Sequence, residues 1–390
     1  MTSFHASRNF RTRPAVAVIG AALLLAACSH GGTGASKPDT TTTTLPPLPP
    51  AVIAYVALAG TVANVGTGST LVEVTLSPPP SSVGAPIKVG VYPDAVAVTP
   101  NGRLALVANY TSNTVTPVAL PSGLALAAIP AGAGPADVAI NSSGTTAYVT
   151  DANSDTVTPI SLKTLKALAP ITVGAGPQGI AITPNGTKAY VADAGAIIAG
   201  QSGTIGHQVT PIDLTTDRAL PPISVGNAPI GVAITPDGST VFVTNLNSES
   251  VSTISVGSDT AGAAIAVAGG PVAVAVAAGE AWVVNTPAGG QTGNNVQPIS
   301  LVTDAAGKPI NLPKGAQNIA VAPNGRTAYV VCLDTDKLVP VGLISHRVET
   351  AISIPGGPFA VAVANQARAA APGQPTSTTV AKKKKTTTTT

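Results

Sequence analysis

The chain has 390 residues, 44% of them hydrophobic, 9% charged and 3% aromatic, with 40 Gly and 36 Pro. So little charge among so much Val, Ala, Ile, Thr, Gly and Pro argues against a helical protein and for short β-strands punctuated by turns. The formal net charge of +3 comes from the ends: residues 1–28 carry three basic groups and residues 366–390 five, with no acid in either, which leaves 12 basic against 17 acidic residues between them; such a body offers nucleic acid no basic face.

The first predicted element is an address. Arg8, Arg11 and Arg13 precede an apolar run from Ala15 to Ala27, the layout of a signal peptide and shorter than the roughly 20 apolar residues a membrane span requires. Leu25-Ala26-Ala27-Cys28 resembles a bacterial lipobox. Residues 1–28 are therefore read as a lipoprotein signal peptide with Cys28 as the lipidated residue; an ordinary signal peptide with an incidental Cys is the alternative. The expected location is the extracytoplasmic side of a bacterial envelope. Residues 29–50 contain Thr40 to Thr44 and Pro46-Pro47-Leu48-Pro49-Pro50, a composition that predicts an extended spacer. The only other cysteine, Cys332, lies in an apolar stretch and is expected to be a small buried hydrophobe.

From residue 51 a repeat sets in. A proline anchors each unit at Pro93, Pro135, Pro177, Pro229, Pro271 and Pro358, with Ala316 replacing it once, and the intervals are 42, 42, 52, 42, 45 and 42 residues. After the anchor comes a first strand of small apolar residues, such as Gly231-Val232-Ala233-Ile234. A turn of the Pro184-Asn185-Gly186 kind follows, where Pro presets φ and Gly accepts a positive one. The second strand carries an aromatic and then Val: Tyr148-Val149, Tyr190-Val191, Phe242-Val243, Trp282-Val283 and Tyr329-Val330. A third strand opens Val-Thr-Pro in several units, its proline marking a bulge or an unpaired position. The fourth ends Val-Gly, as in Ile171-Thr172-Val173-Gly174.

Four short strands in about 42 residues predict a β-propeller blade. Six units run from Pro93 to about Pro355. Residues 53–90 read as strands two, three and four without a first, and residues 358–364 as a first strand with nothing after it. The prediction is thus an all-β, seven-bladed propeller over residues 51–365, closed by N- and C-terminal strands sharing one blade. Residues 366–390, with Lys382 to Lys385 and Thr386 to Thr390, are expected to be a disordered tail.

Tyr148-Val149-Thr150-Asp151 and Phe242-Val243-Thr244-Asn245, each preceded by the strand and turn just described, resemble the YVTN family of β-propeller repeats. The resemblance covers roughly residues 51–364. It implies an exported or surface-associated propeller, with lactonases and haem-binding propellers among the more distant relatives. The sixth unit departs from it with Cys332, and the seventh with Leu58, where other units place Asn or Asp.

Asn109, Asp151, Asp193, Asn245 and Asn285 end the second strands and are expected to ring the face of the propeller that carries the loops between strands two and three. They are the candidate ligand-binding residues, although Asn and Asp also start turns by bonding nearby backbone. The departures from the 42-residue period fall on the same face, in two Gly-rich loops at 194–208 and 286–295; the first ends at His207, a further candidate. There is no Gly-Lys-Ser/Thr loop, Cys-x-x-Cys or His-Glu-x-x-His, so neither a metal nor a cofactor is expected. The reading is a non-catalytic surface lipoprotein, expected to be a monomer, that is anchored through Cys28 and binds a protein, glycan or cell-wall partner. The alternative is a lactonase-like hydrolase or lyase using Asp151, Asp193, Glu249 or His207 at the channel mouth.

Overall fold

The computed structural model describes residues 50–60, 66–77, 81–195, 204–287 and 294–366. The predicted signal peptide, Cys28, the spacer up to residue 49, the tail from residue 367 and the middles of both long loops lie outside the described residues. Seven antiparallel sheets form a closed ring, a seven-bladed β-propeller with blades of four strands. The innermost strands are Pro93–Val98, Pro135–Ile140, Pro177–Ile182, Pro229–Ile234, Gly270–Ala277, Ala316–Val321 and Pro358–Gln366, and each packs on the next around the ring.

The chain ends close the ring as their patterns predict. Pro358–Gln366 is the inner strand of the last blade and pairs with Ala51–Leu58, from Ala51↔Gln366 to Leu58↔Pro358. Ala51–Leu58 then pairs with Thr70–Ser77. One blade is thus built from both ends of the repeat region, which joins the first unit to the last.

The outermost strand differs from its prediction. In six blades it is split into two short pieces, such as Lys166–Ala167 and Ile171–Thr172, both paired with Thr156–Ser161, while the fifth has the single strand Ile310–Leu312. Between them one bond remains, from Leu168 N–H to the carbonyl of Pro159. The proline of the third strand is not the cause, because the blade with Thr253 at that position has the same break. Proline is tolerated there because the outer ladder is already interrupted and no donor is required of it.

Second strands are the buried layer, and their aromatic residues fill the seams between blades. Tyr190, Phe242 and Trp282 have at most 1% of their surface exposed. Phe242 packs on Val274, Ala281, Val283 and Ile299 of the following blade. In two blades the tyrosine hydroxyl also reaches the following blade: Tyr148 Oη donates to Asp217 at 3.3 Å and Tyr190 Oη to Asp259 at 2.6 Å. Truncating one of these rings to alanine removes about 3–5 kcal/mol of packing.

Candidate functional site

The five residues that end the second strands do not face the channel. Asn109, Asp151, Asn245 and Asn285 are fully buried and Asp193 is 2% exposed. Each bonds a polar side chain of the third strand. Asn109 Nδ2 donates to Thr116 Oγ1 at 2.9 Å, and Asn245 Nδ2 to Ser252 Oγ at 3.0 Å. Thr158 Oγ1 donates to Asp151 and Thr210 Oγ1 to Asp193, both at 2.6 Å. In the fifth blade Asn285 Nδ2 donates to Asn295 Oδ1 at 2.8 Å.

The other side of these residues rests on the preceding blade. A Cβ added to Gly90, Gly132, Gly174 or Gly226 would lie 2.5–2.7 Å from the Cγ of Asn109, Asp151, Asp193 or Asn245, so glycine is what lets the blades approach this closely. The N–H groups of Gly132 and Gly174 favour the ionised forms of Asp151 and Asp193, yet burial outweighs them and pushes these carboxyls up to about 6 and about 7. The exceptions obey the same logic. Cys332 and Leu58 occupy the blades whose third-strand residue at the hydroxyl position is Val339 or Val72, which offers nothing to bond. The repeated Asn/Asp is a seam latch between blades, bonded to the third strand rather than to backbone two residues on.

His207 is exposed, in the strand Ile205–Asp213 that extends beyond the blade, and its carbonyl accepts the N–H of Val225 at 2.8 Å. Glu249 takes φ +47° at the end of a short 3-10 turn. Neither lines the channel mouth.

What lines it follows from the first strand. In each blade the pairing between first and second strands slips by a residue just after the anchor, as in Pro93↔Asn109 followed by Ala95↔Ala108. Such a bulge leaves one residue unpaired and re-aims its side chain. In the seven blades that residue is Asp94, Ala136, Gln178, Ile230, Val272, Gln317 and Phe359, and all seven line a cavity of about 400 Å³ at the channel mouth.

This cavity is chemically one-sided. Its charged lining residues are Asp94 and Asp137, with no Lys, Arg or His. Asp137 is held on both oxygens, Oδ1 by the N–H of Val138 at 2.8 Å and Oδ2 by that of Ile180 in the next blade at 2.9 Å. Asp94 accepts no hydrogen bond among the described residues. Burial, then the charge of Asp137, pushes Asp94 up to about 8; burial, partly offset by its two N–H donors, pushes Asp137 to about 6. The Nε2 of Gln178 is buried and has no partner.

Three aromatic rings stand beside Asp94. Tyr92 lies 5.5 Å from Tyr110 and 5.7 Å from Phe359, centroid to centroid. Burial first, then the nearby charge of Asp94, raises the Tyr92 hydroxyl. Tyr92 holds φ +53°, a left-handed backbone filled by Gly134, Gly176, Gly315 and Gly357 in four other blades and by Ala228 in a fifth. A bulky residue there costs about 1 kcal/mol or more, a strain concentrated at functional positions in proteins generally.

The sequence expectations missed this site by following the repeat instead of its breaks. Asp94, Asp137, Gln178, Gln317 and Asn318 are polar residues interrupting first strands that are otherwise small and apolar, and that interruption was the available signal.

No protein-family profile matches the chain, and no curated protein matches it. Solved structures do. A functionally unknown protein from Desulfotomaculum acetoxidans superposes with a TM-score of 0.66 at 15% identity, over 81% of this chain and 99% of that one. A Bacteroides uniformis protein provisionally named a 6-phosphogluconolactonase gives 0.66 at 13% identity, over 81% and 100%. Hydrazine synthase of Kuenenia stuttgartiensis gives 0.61 at 20% identity, over 69% and 89%. At these identities the likeness is one of fold.

Proposed function

We propose that this chain is a non-catalytic cell-surface lipoprotein, tethered through Cys28, whose propeller holds a protein, glycan or cell-wall partner at the channel mouth. One observation carries the reading: a concave cavity in which three aromatic rings, two carboxyl groups and unpaired amide capacity converge, with Tyr92 kept in a left-handed conformation that other blades give to glycine or, once, to alanine. Apolar faces combined with a few placed polar groups are what small-ligand sites use. The fold supplies a rigid mount for them.

A second reading, a hydrolase or lyase, is favoured by the two carboxyls. Their environments push them to about 8 and about 6, which at neutral pH leaves Asp94 mainly protonated and Asp137 mainly ionised, the division that general acid–base chemistry needs. The fold shared with proteins provisionally named lactonases is compatible with it.

A photo-crosslinking residue at position 359, introduced on intact cells, tests the binding reading, with position 344 on an exposed turn as control. A discrete adduct from 359 alone supports it. No adduct, or the same adduct from both positions, overturns it.

A further inference from the structure

We propose that the channel mouth takes an organic cation: an ammonium or quaternary ammonium group held between the Asp94 carboxylate and the faces of Tyr92, Tyr110 and Phe359, with a hydroxyl or carbonyl oxygen of the same ligand accepting from Gln178. This rests on the binding reading and names its ligand class.

Charge comes first. A cavity whose titratable lining is acidic, with no basic group, repels phosphates, carboxylates and other anions and draws cations, the more so as Asp94 ionises. The two carboxylates are not equivalent. Asp137 spends both oxygens on the N–H groups of Val138 and Ile180 and stitches the second blade to the third. Asp94 has no such duty, so its oxygens remain for a ligand.

The aromatic rings then separate an organic cation from a metal ion. A metal would need further oxygen, nitrogen or sulfur donors, and no group of three His, Cys, Asp or Glu residues suited to a metal occurs among the described residues. Aromatic faces serve a diffuse cation instead, through the negative potential above each ring. Tyr92 packs against Tyr110 at 5.5 Å and Phe359 at 5.7 Å, tilted by 56° and 71°, so the three rings that line the cavity beside Asp94 turn their planes in different directions. Gln178 supplies the remaining requirement: its buried, unpartnered Nε2 needs an acceptor. A ligand with an oxygen near its cationic centre meets both demands.

A dependence on pH follows. The titratable groups facing the cation are Asp94, Asp137, Tyr92 and Tyr110. Both tyrosine hydroxyls are raised and stay neutral in the accessible range. Asp94, pushed up to about 8, is about 1% ionised at pH 6 and about 90% at pH 9, so affinity for a cation of fixed charge rises by up to about 90-fold across that span.

The test uses choline, whose charge does not titrate and which carries a hydroxyl, against its neutral isostere 3,3-dimethylbutan-1-ol, by calorimetry or ligand-observed NMR on the purified protein at pH 6 to 9. The expected result is choline binding at least 10-fold tighter than the isostere at pH 9, weakening at least 10-fold by pH 6. Asp94→Asn and, independently, Tyr110→Leu should each lose at least 5-fold, while Asp213→Asn, at the far end of the third blade's third strand and outside the cavity lining, leaves binding unchanged. Equal binding of choline and the isostere overturns the cation class and leaves the channel-mouth reading standing. Choline binding indifferent to both Asp94→Asn and Tyr110→Leu, or absent at millimolar concentration at every pH, overturns the proposal. The adduct from position 359 is independent of these outcomes: if it forms and choline fails, only the ligand class falls, and if neither appears, both readings fall.

Discussion

Asp151→Asn and Asp193→Asn should make the propeller more stable at alkaline pH. Both carboxyls lie in seams with almost no exposure, where burial raises them from the ordinary 3.8 to about 6 and about 7. A carboxyl raised in the folded state opposes folding when ionised. The penalty is complete above the folded value and disappears as the pH falls through that value toward 3.8. At 1.36 kcal/mol per pH unit the two buried charges cost roughly 3 and 4 kcal/mol at pH 8. Asparagine carries no charge, and the chain already uses it in the same seat: Asn109 and Asn245 bond the matching hydroxyls of Thr116 and Ser252. Even half of the calculated penalty, relieved in the double variant, should raise Tm at pH 8 by at least about 5 °C. Scanning calorimetry of wild type and variants from pH 8 to pH 5 measures this. The wild type should gain on the variants as the pH falls, and the gap should narrow to about half by pH 5 on its way to closing near 3.8. A double variant less stable than wild type at pH 8, or a gap independent of pH, would refute the reasoning and show that these carboxylates are wanted in their ionised form.

Gly132→Ala or Gly174→Ala, which drives a Cβ to within 2.5 Å of a carboxyl Cγ, should cost about 2–3 kcal/mol in denaturant unfolding. Cys332→Asn alone should cost about 1–3 kcal/mol because Val339 offers its amide no hydroxyl, and Val339→Thr should recover part of that loss, read as a favourable coupling in a double-mutant cycle. Tyr92→Gly should abolish binding at the channel mouth while shifting stability by only about 1 kcal/mol, since relief of the left-handed backbone offsets lost ring packing; a loss several times larger would make Tyr92 a packing residue. Cys28→Ser should release the protein from the membrane fraction and end its labelling with radioactive palmitate; unchanged membrane association would contradict the lipid anchor.

The fold was legible because the repeat is a physical period. One blade cannot bury its own faces, so the pattern of apolar strand, Pro-Asn-Gly turn and aromatic-Val strand has to recur, and the unmatched strands at residues 53–90 and 358–364 had only each other to pair with. The broken outer strand was not legible, because two-residue pieces carry no periodicity of their own. The site was obscured for a different reason. Asn109, Asp151, Asp193, Asn245 and Asn285 stand out in sequence because they repeat, and they repeat because five of the seven blades use the same polar seat. Asp94, Gln178 and Phe359 differ from their counterparts in other blades, and only the bulge that aims that position into the channel turns the difference into a site.

The most direct measurement compares photo-adduct yield from position 359 on intact cells in three backgrounds: wild type, Asp94→Asn and Asp193→Asn. Binding at the channel mouth predicts a yield lowered severalfold by Asp94→Asn and left unchanged by Asp193→Asn. A yield that falls with Asp193→Asn and not with Asp94→Asn would return the function to the seam residues and contradict the account.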